Sequence, residues 1–117
     1  MDKDIGLEVL LSLDGEIFAM ENGCWTKIEV KLVTKTEWIP HGIRYSLTLH
    51  NRHNQRILGF DNAHGIKPKR KKYGAKKITW DHKHHRELTT PYEFESAAQL
   101  MEDFWYTVEL ILNEEKE

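Results

Sequence analysis

In two stretches between residues 25 and 50 apolar and polar positions alternate with a period of two, the mark of strands buried on one face. In "WTKIEVKLV", Trp25, Ile28, Val30 and Leu32 stand against Thr26, Lys27, Glu29 and Lys31, and the alternation is strict from Ile28 onward. "IRYSLTLH" repeats it, with Ile43, Tyr45, Leu47 and Leu49 on one face and Arg44, Ser46, Thr48 and His50 on the other. Pro40 and Gly42 separate these two strands, "NRHNQ" makes a polar turn, and "RILGF" pairs back, so the pattern predicts an antiparallel meander. Upstream, "LEVLLSLDGEIFAM" (7–20) places Asp14-Gly15 between two apolar runs, a hairpin signal, and reads as two short strands. "KITWDHKHH" reads as a further short strand, with His82 and His84 on one face and Asp81, Lys83 and His85 on the other.

The period changes after Pro91. Ser96 followed three residues later by Gln99 has the form of a capping box, and Glu95 suits the positive end of a helix dipole. Ala97, Leu100, Met101, Phe104, Val108, Ile111 and Leu112 then recur at three- and four-residue spacing, an apolar stripe able to cover a sheet face. Acids in "NEEKE" at the negative end of that dipole predict fraying over 113–117. The expected fold class is α+β: a single domain over 1–117, an antiparallel sheet of about five or six strands in a meander, packed against one C-terminal α-helix. A chain of 117 residues supplies one modest core.

Composition narrows the setting. At 39% hydrophobic and 31% charged residues the chain is an ordinary globular one. No apolar window approaches the ~18 residues of a membrane span, and "MDKDIGLEVLLSLDGE" lacks the basic and apolar regions of a signal peptide. Cys24 is the only cysteine, which excludes an intramolecular disulfide and a cysteine-rich zinc site. The expectation is a cytoplasmic protein with no membrane partner; a homo-oligomer is left open.

The formal net charge of −2 conceals a dipolar chain. From 67 to 86 there are nine cations, Lys67, Lys69, Arg70, Lys71, Lys72, Lys76, Lys77, Lys83 and Arg86, against one acid, Asp81. From 87 to 117 there are nine acids and one lysine. The basic stretch contains Pro68 and Gly74 and no apolar period, so 66–79 reads as a mobile loop that attracts polyanions.

Within the same span lie "FDNAHG" (60–65) and "DHKHH" (81–85), at strand ends where sites concentrate. Two histidines two residues apart on one strand face suit acid–base work on a phosphodiester, or metal binding. His82, His84, Asp61 and Asp81 are therefore the candidate catalytic residues, the nine cations the nucleic-acid-binding set, and Asn62, His64, Gly65 and Trp80 the supporting residues. No cofactor is expected; if a divalent metal is bound, Asp61, His64, His82 and His84 are its ligands. Each element also has a plain explanation. A His-x-His pair is more often solvated than liganded, lysine-rich loops more often serve solubility, and Asp-Asn commonly shapes a turn. Their co-occurrence in one span favours a site.

The order Asp61-Asn62-x-x-Gly65, Asp81-His82-x-His84, Pro91-Tyr92-x-Phe94 and Leu100-x-x-Asp103-Phe104-Trp105, preceded by "RYSL" and "RILGFDN", resembles the TumE family of toxins from toxin–antitoxin pairs. The resemblance runs over roughly residues 7–112. The spacer of fifteen residues from Ile66 to Trp80 is longer than the family's usual form, and Phe60 stands where tyrosine is usual. The resemblance implies a toxin paired with a helix-turn-helix antitoxin and directed at RNA. Three functions remain: a metal-free ribonuclease using His82 and His84, a non-catalytic nucleic-acid- or ribosome-binding module, and a metal-dependent nuclease.

Overall fold

The computed structural model describes residues 4–62, 81–86 and 88–115. The elements run α1 (Ile5–Ser12), β1 (Ile17–Ala19), a 3-10 turn (Glu21–Gly23), β2 (Trp25–Leu32), β3 (Ile43–His50), β4 (Arg56–Asp61), β5 (His82–His85), β6 (Leu88–Pro91) and α2 (Ala97–Glu115). All six strands form one antiparallel sheet in sequence order, the predicted meander. The α+β class, the sheet and the C-terminal helix are as expected, whereas the basic loop at 66–79 and the last two residues of the predicted fray lie outside the described residues.

The N-terminal reading needs correction: residues 7–12 are helical, not the first strand of a hairpin. Asp4 caps the helix, its carboxylate accepting from the Leu7 N–H at 2.9 Å. Leu7, Leu10 and Leu11 share a helical face, with Leu10 wholly buried and the other two packed on the core. The Asp14-Gly15 pair does make a turn, with Gly15 at φ 86°, but it joins a helix to a strand. Asp14 then reaches β2, accepting from the Val30 N–H and from Lys31 Nζ, both at 2.9 Å. These bonds, the Val30 one foremost, hold its carboxyl below the usual range.

The two helices meet at Gly6 and Ala98. A Cβ on Gly6 would stand 2.8 Å from that of Ala98, closer than two carbons can sit. Gly6→Ala is expected to destabilise the protein by about 1–3 kcal/mol through overpacking, measurable as a lower urea midpoint. An unchanged midpoint would show that this helix contact yields freely.

One sheet face is the core. Ile28, Val30, Tyr45, Leu47, Leu49, Leu58 and Phe60 are buried there against the α2 stripe of Leu100, Phe104, Val108 and Ile111, with Phe60 and Phe104 edge to face at 6.0 Å. Thr26 joins this face, fully buried, and Trp25 turns to the other, the reverse of the simple polarity pattern. Ser96 Oγ caps α2 by accepting from the Gln99 N–H at 3.0 Å, but Gln99 turns its own side chain to Asp103 instead of closing the capping box.

The second face carries Trp25, Lys27, Arg44, Ser46, Thr48, His50, Gly59, Asp61, His82 and His84, as the cross-strand registers require. Arg56 joins them through a bulge. Leu49 pairs with Leu58 but His50 pairs with Arg56, so Ile57 is the extra residue. Ile57 sinks into the core at 5% exposure while Arg56 is turned to the second face. Its guanidinium lies over Gly59, 3.5 Å from where a Cβ would be.

Candidate functional site

Asp61 ends β4 and His82 begins β5, and antiparallel pairing sets them directly opposite each other. His84, two residues on, shares their face and lies opposite Gly59. Both imidazoles converge on one carboxylate: His82 Nε2 is 2.7 Å from Asp61 Oδ1, and His84 Nε2 is 3.2 Å from Oδ2. The rings stand edge to face at 4.6 Å. His82 and Asp61 are buried, whereas the His84 side chain keeps 16% of its surface exposed.

Orientation limits what each group can do. His84 Nδ1 is fixed by Thr89 Oγ1 at 3.0 Å, so both its nitrogens are engaged. Burial foremost, and the Arg56 and His82 charges, push the His84 imidazole below its ordinary pKa against the pull of Asp61. This favours the neutral imidazole, which offers a lone pair only if one of its two present contacts gives way. Asp61 Oδ1 makes no aligned hydrogen bond despite the nearby His82 nitrogen. The ligand atoms of all three residues lie within 4.8 Å of one another. Two ligands of a zinc-like ion, each about 2.1 Å from it, sit roughly 3.0–3.4 Å apart, comparable to the 2.7 and 3.2 Å here. Two histidines and one carboxylate are a donor set of the kind a divalent ion takes, once small side-chain shifts bring all three onto it.

Other expected residues fall elsewhere. Lys83 points to the helix-covered face, its Nζ 5.5 Å from the Phe60 ring centroid. Arg86 lies in the turn after β5, at φ 59°, with its N–H donating to the Ile57 carbonyl at 3.0 Å. His64, Gly65, Trp80 and the cations Lys67, Lys69, Arg70, Lys71, Lys72, Lys76 and Lys77 lie outside the described residues. Arg56, which lay in the "RILGFDN" run but was not among the candidate residues, is a described cation whose charge acts on His84. The Arg-x-x-Gly spacing in "RILG" was its only trace in the sequence.

Asp81 belongs to a second constellation. Its Oδ1 accepts from the Tyr45 hydroxyl at 2.6 Å and lies 3.0 Å from His41 Nε2. Tyr45 is a core residue, and Phe94 packs on the His41 ring at 4.0 Å. Burial foremost, and then Asp81, drive the Tyr45 hydroxyl far above its usual pKa, so it is a permanent donor. This group ties the β2–β3 connection to the start of β5. His41 and Tyr45 were missed because neither lies near Asp81 in sequence.

Asn62 extends the sheet with a side chain. Its Oδ1 accepts from the Tyr45 N–H at 2.9 Å, its Nδ2 donates to the Ile43 carbonyl at 2.8 Å, and it is wholly buried. It therefore anchors the end of β4 directly after Asp61.

Comparison with known proteins matches residues 13–112, most of the chain, to the family model described as Toxin TumE. No curated protein and no solved structure matches.

Proposed function

We propose, for a chain that belongs to the TumE toxin family, that the toxin cleaves RNA phosphodiesters at Asp61, His82 and His84. The carrying observation is the convergence of two imidazoles on one buried carboxylate, with the Arg56 guanidinium on the same face. Arg56 would hold the phosphate and stabilise the charge that develops on it during transfer. The family implies an antitoxin partner, and a helix-turn-helix protein is the partner we expect. Among the described residues no helix is long and apolar enough to cross a membrane.

Two chemistries use these residues. In the metal-free form, neutral His84 takes a proton from the attacking hydroxyl and His82 returns one to the leaving oxygen. In the metal-assisted form, Asp61, His82 and His84 hold a divalent ion, which supplies Lewis acidity and an activated water when bound. The side-chain geometry favours the second. Both Nε2 atoms face the same carboxylate, and Thr89 occupies the remaining nitrogen of His84, so His84 aims no nitrogen away from the cluster.

Chelation separates the two. Protein purified without an affinity tag is expected to carry about one equivalent of zinc or manganese, to lose RNA cleavage on removal of the ion, and to regain it on readdition. Cleavage that survives chelation, with metal content far below one equivalent, would return the assignment to acid–base chemistry. Absence of cleavage under every condition would leave a binding module.

A further inference from the structure

The second face of the sheet holds more than the triad. Trp25 and His50, opposed on β2 and β3, stack with ring centroids 3.9 Å apart and planes 9° from parallel. Both rings are held from the side: Trp25 Nε1 donates to Asn54 Oδ1 at 3.2 Å, and His50 Nε2 lies 2.9 Å from Thr48 Oγ1. Both remain half-buried and not enclosed. Burial, with the charges of Arg56 and Lys27, keeps His50 below its ordinary pKa.

From this stack to the triad the face is lined by small or short residues, Thr48 on β3 and Gly59 on β4. Cations flank the path. Arg56 lies over Gly59, and Lys27 pairs with Thr48 across the ladder. Lys27 is only loosely held by Glu29, at 3.9 Å, with 39% of its side chain exposed. His84 on β5 and Trp25 on β2 are three strand spacings apart, about 14 Å, the length of a few nucleotides.

We infer that this face, from the triad across Gly59 and Thr48 to the Trp25–His50 stack, binds single-stranded RNA. A base stacks on the Trp25–His50 pair, and Arg56 and Lys27 take the intervening phosphates. The inference rests on the proposed function for its choice of RNA, and it deepens that reading by naming the strandedness of the substrate and the residues that position it. A flat aromatic pair on an open sheet accepts any unpaired base, because each base has a π-face, whereas bases stacked inside a duplex present only their edges. Charge complementarity on the same face supplies the phosphate contacts.

The test uses the full chain carrying His84→Ala, so that RNA is bound without being cut, and follows the anisotropy of a fluorescein-labelled single-stranded oligouridylate. Adding Trp25→Ala is expected to weaken binding at least about tenfold, while Trp25→Phe, which keeps a stacking ring, stays within about threefold. The duplex formed with oligoadenylate is expected to compete poorly. Lys27→Glu, at a half-buried position, is expected to weaken binding and to lower the salt dependence by about one unit of log–log slope. Binding indifferent to both Trp25→Ala and Lys27→Glu, or equal competition by the duplex, would overturn the inference. Trp25-dependent binding by a wild-type chain that never cuts RNA sinks the proposed cleavage and leaves this surface standing; cleavage with Trp25-independent binding does the reverse.

Discussion

Replacing His84 with alanine is expected to lower RNA cleavage by about 10²–10⁴-fold and to relieve growth arrest in cells that express the toxin. His84 is the informative member of the triad because it is the most exposed of the three. Its removal leaves the His82–Asp61 contact at 2.7 Å in place and forfeits two contacts, to Thr89 and to Asp61 Oδ2. The expected stability loss is accordingly about 1–3 kcal/mol. Removing His82 is less clean, because it would open a cavity beside a buried carboxylate and leave that charge poorly compensated. The readouts are the cleavage rate of purified protein, total RNA from the induced culture, and a melting curve confirming the fold. A His84→Ala protein that melts normally and cuts RNA at the wild-type rate would remove the triad from the chemistry. His41→Ala provides the contrast, since His41 belongs to the Asp81–Tyr45 group on the other face. It is expected to lower Tm while leaving the cutting mechanism intact. If instead its loss abolished cleavage in folded protein, the chemistry would lie at that second constellation.

Asn62→Ala is expected to be the most damaging small change for the fold around the site. The Asn62 side chain satisfies one buried donor, the Tyr45 N–H, and one buried acceptor, the Ile43 carbonyl. Both residues are about 1% exposed, so water cannot readily replace the lost partner. Each orphaned group costs about 1–3 kcal/mol, which predicts a combined loss of about 2–6 kcal/mol and a Tm lowered by at least about 8 °C. Asn62→Asp preserves shape but cannot donate to the Ile43 carbonyl when ionised, so it is expected to fail as well. Thermal melting of both variants decides the matter. A Tm within a degree or two of wild type would mean that Asn62 shapes a turn and nothing more. Loss of the anchor is also expected to displace Asp61, its immediate neighbour, and hence to lower activity more than its distance from the chemistry would suggest.

These two residues also show where sequence reading succeeds. The period-two runs at 28–32 and 43–50 gave strands and faces because a half-buried strand has little freedom in how it alternates. The α2 stripe was equally legible, since seven apolar positions at helical spacing have one economical explanation. The stretch at 5–12 was not, because eight residues rich in leucine fit either period until a partner is present. Here the partner is α2, approached closely enough at Ala98 that Gly6 has to lack a side chain. The last strand, β6, carried too short and polar a pattern to register, and its residues are mostly exposed.

By itself, the sequence determined the α+β class, the meander, the closing helix and the pairing of His82 with His84 on one strand face, all consequences of local periodicity along the chain. Tertiary structure alone decided which aspartate meets them. Alternation already set Asp81 on the opposite face, but only cross-strand register brings Asp61 against both imidazoles and Asp81 against His41 and Tyr45. The same is true of Arg56, whose position follows from one extra residue in β4. Register and bulges depend on which strands meet and where. Such relations between distant segments leave no period in the chain that forms them.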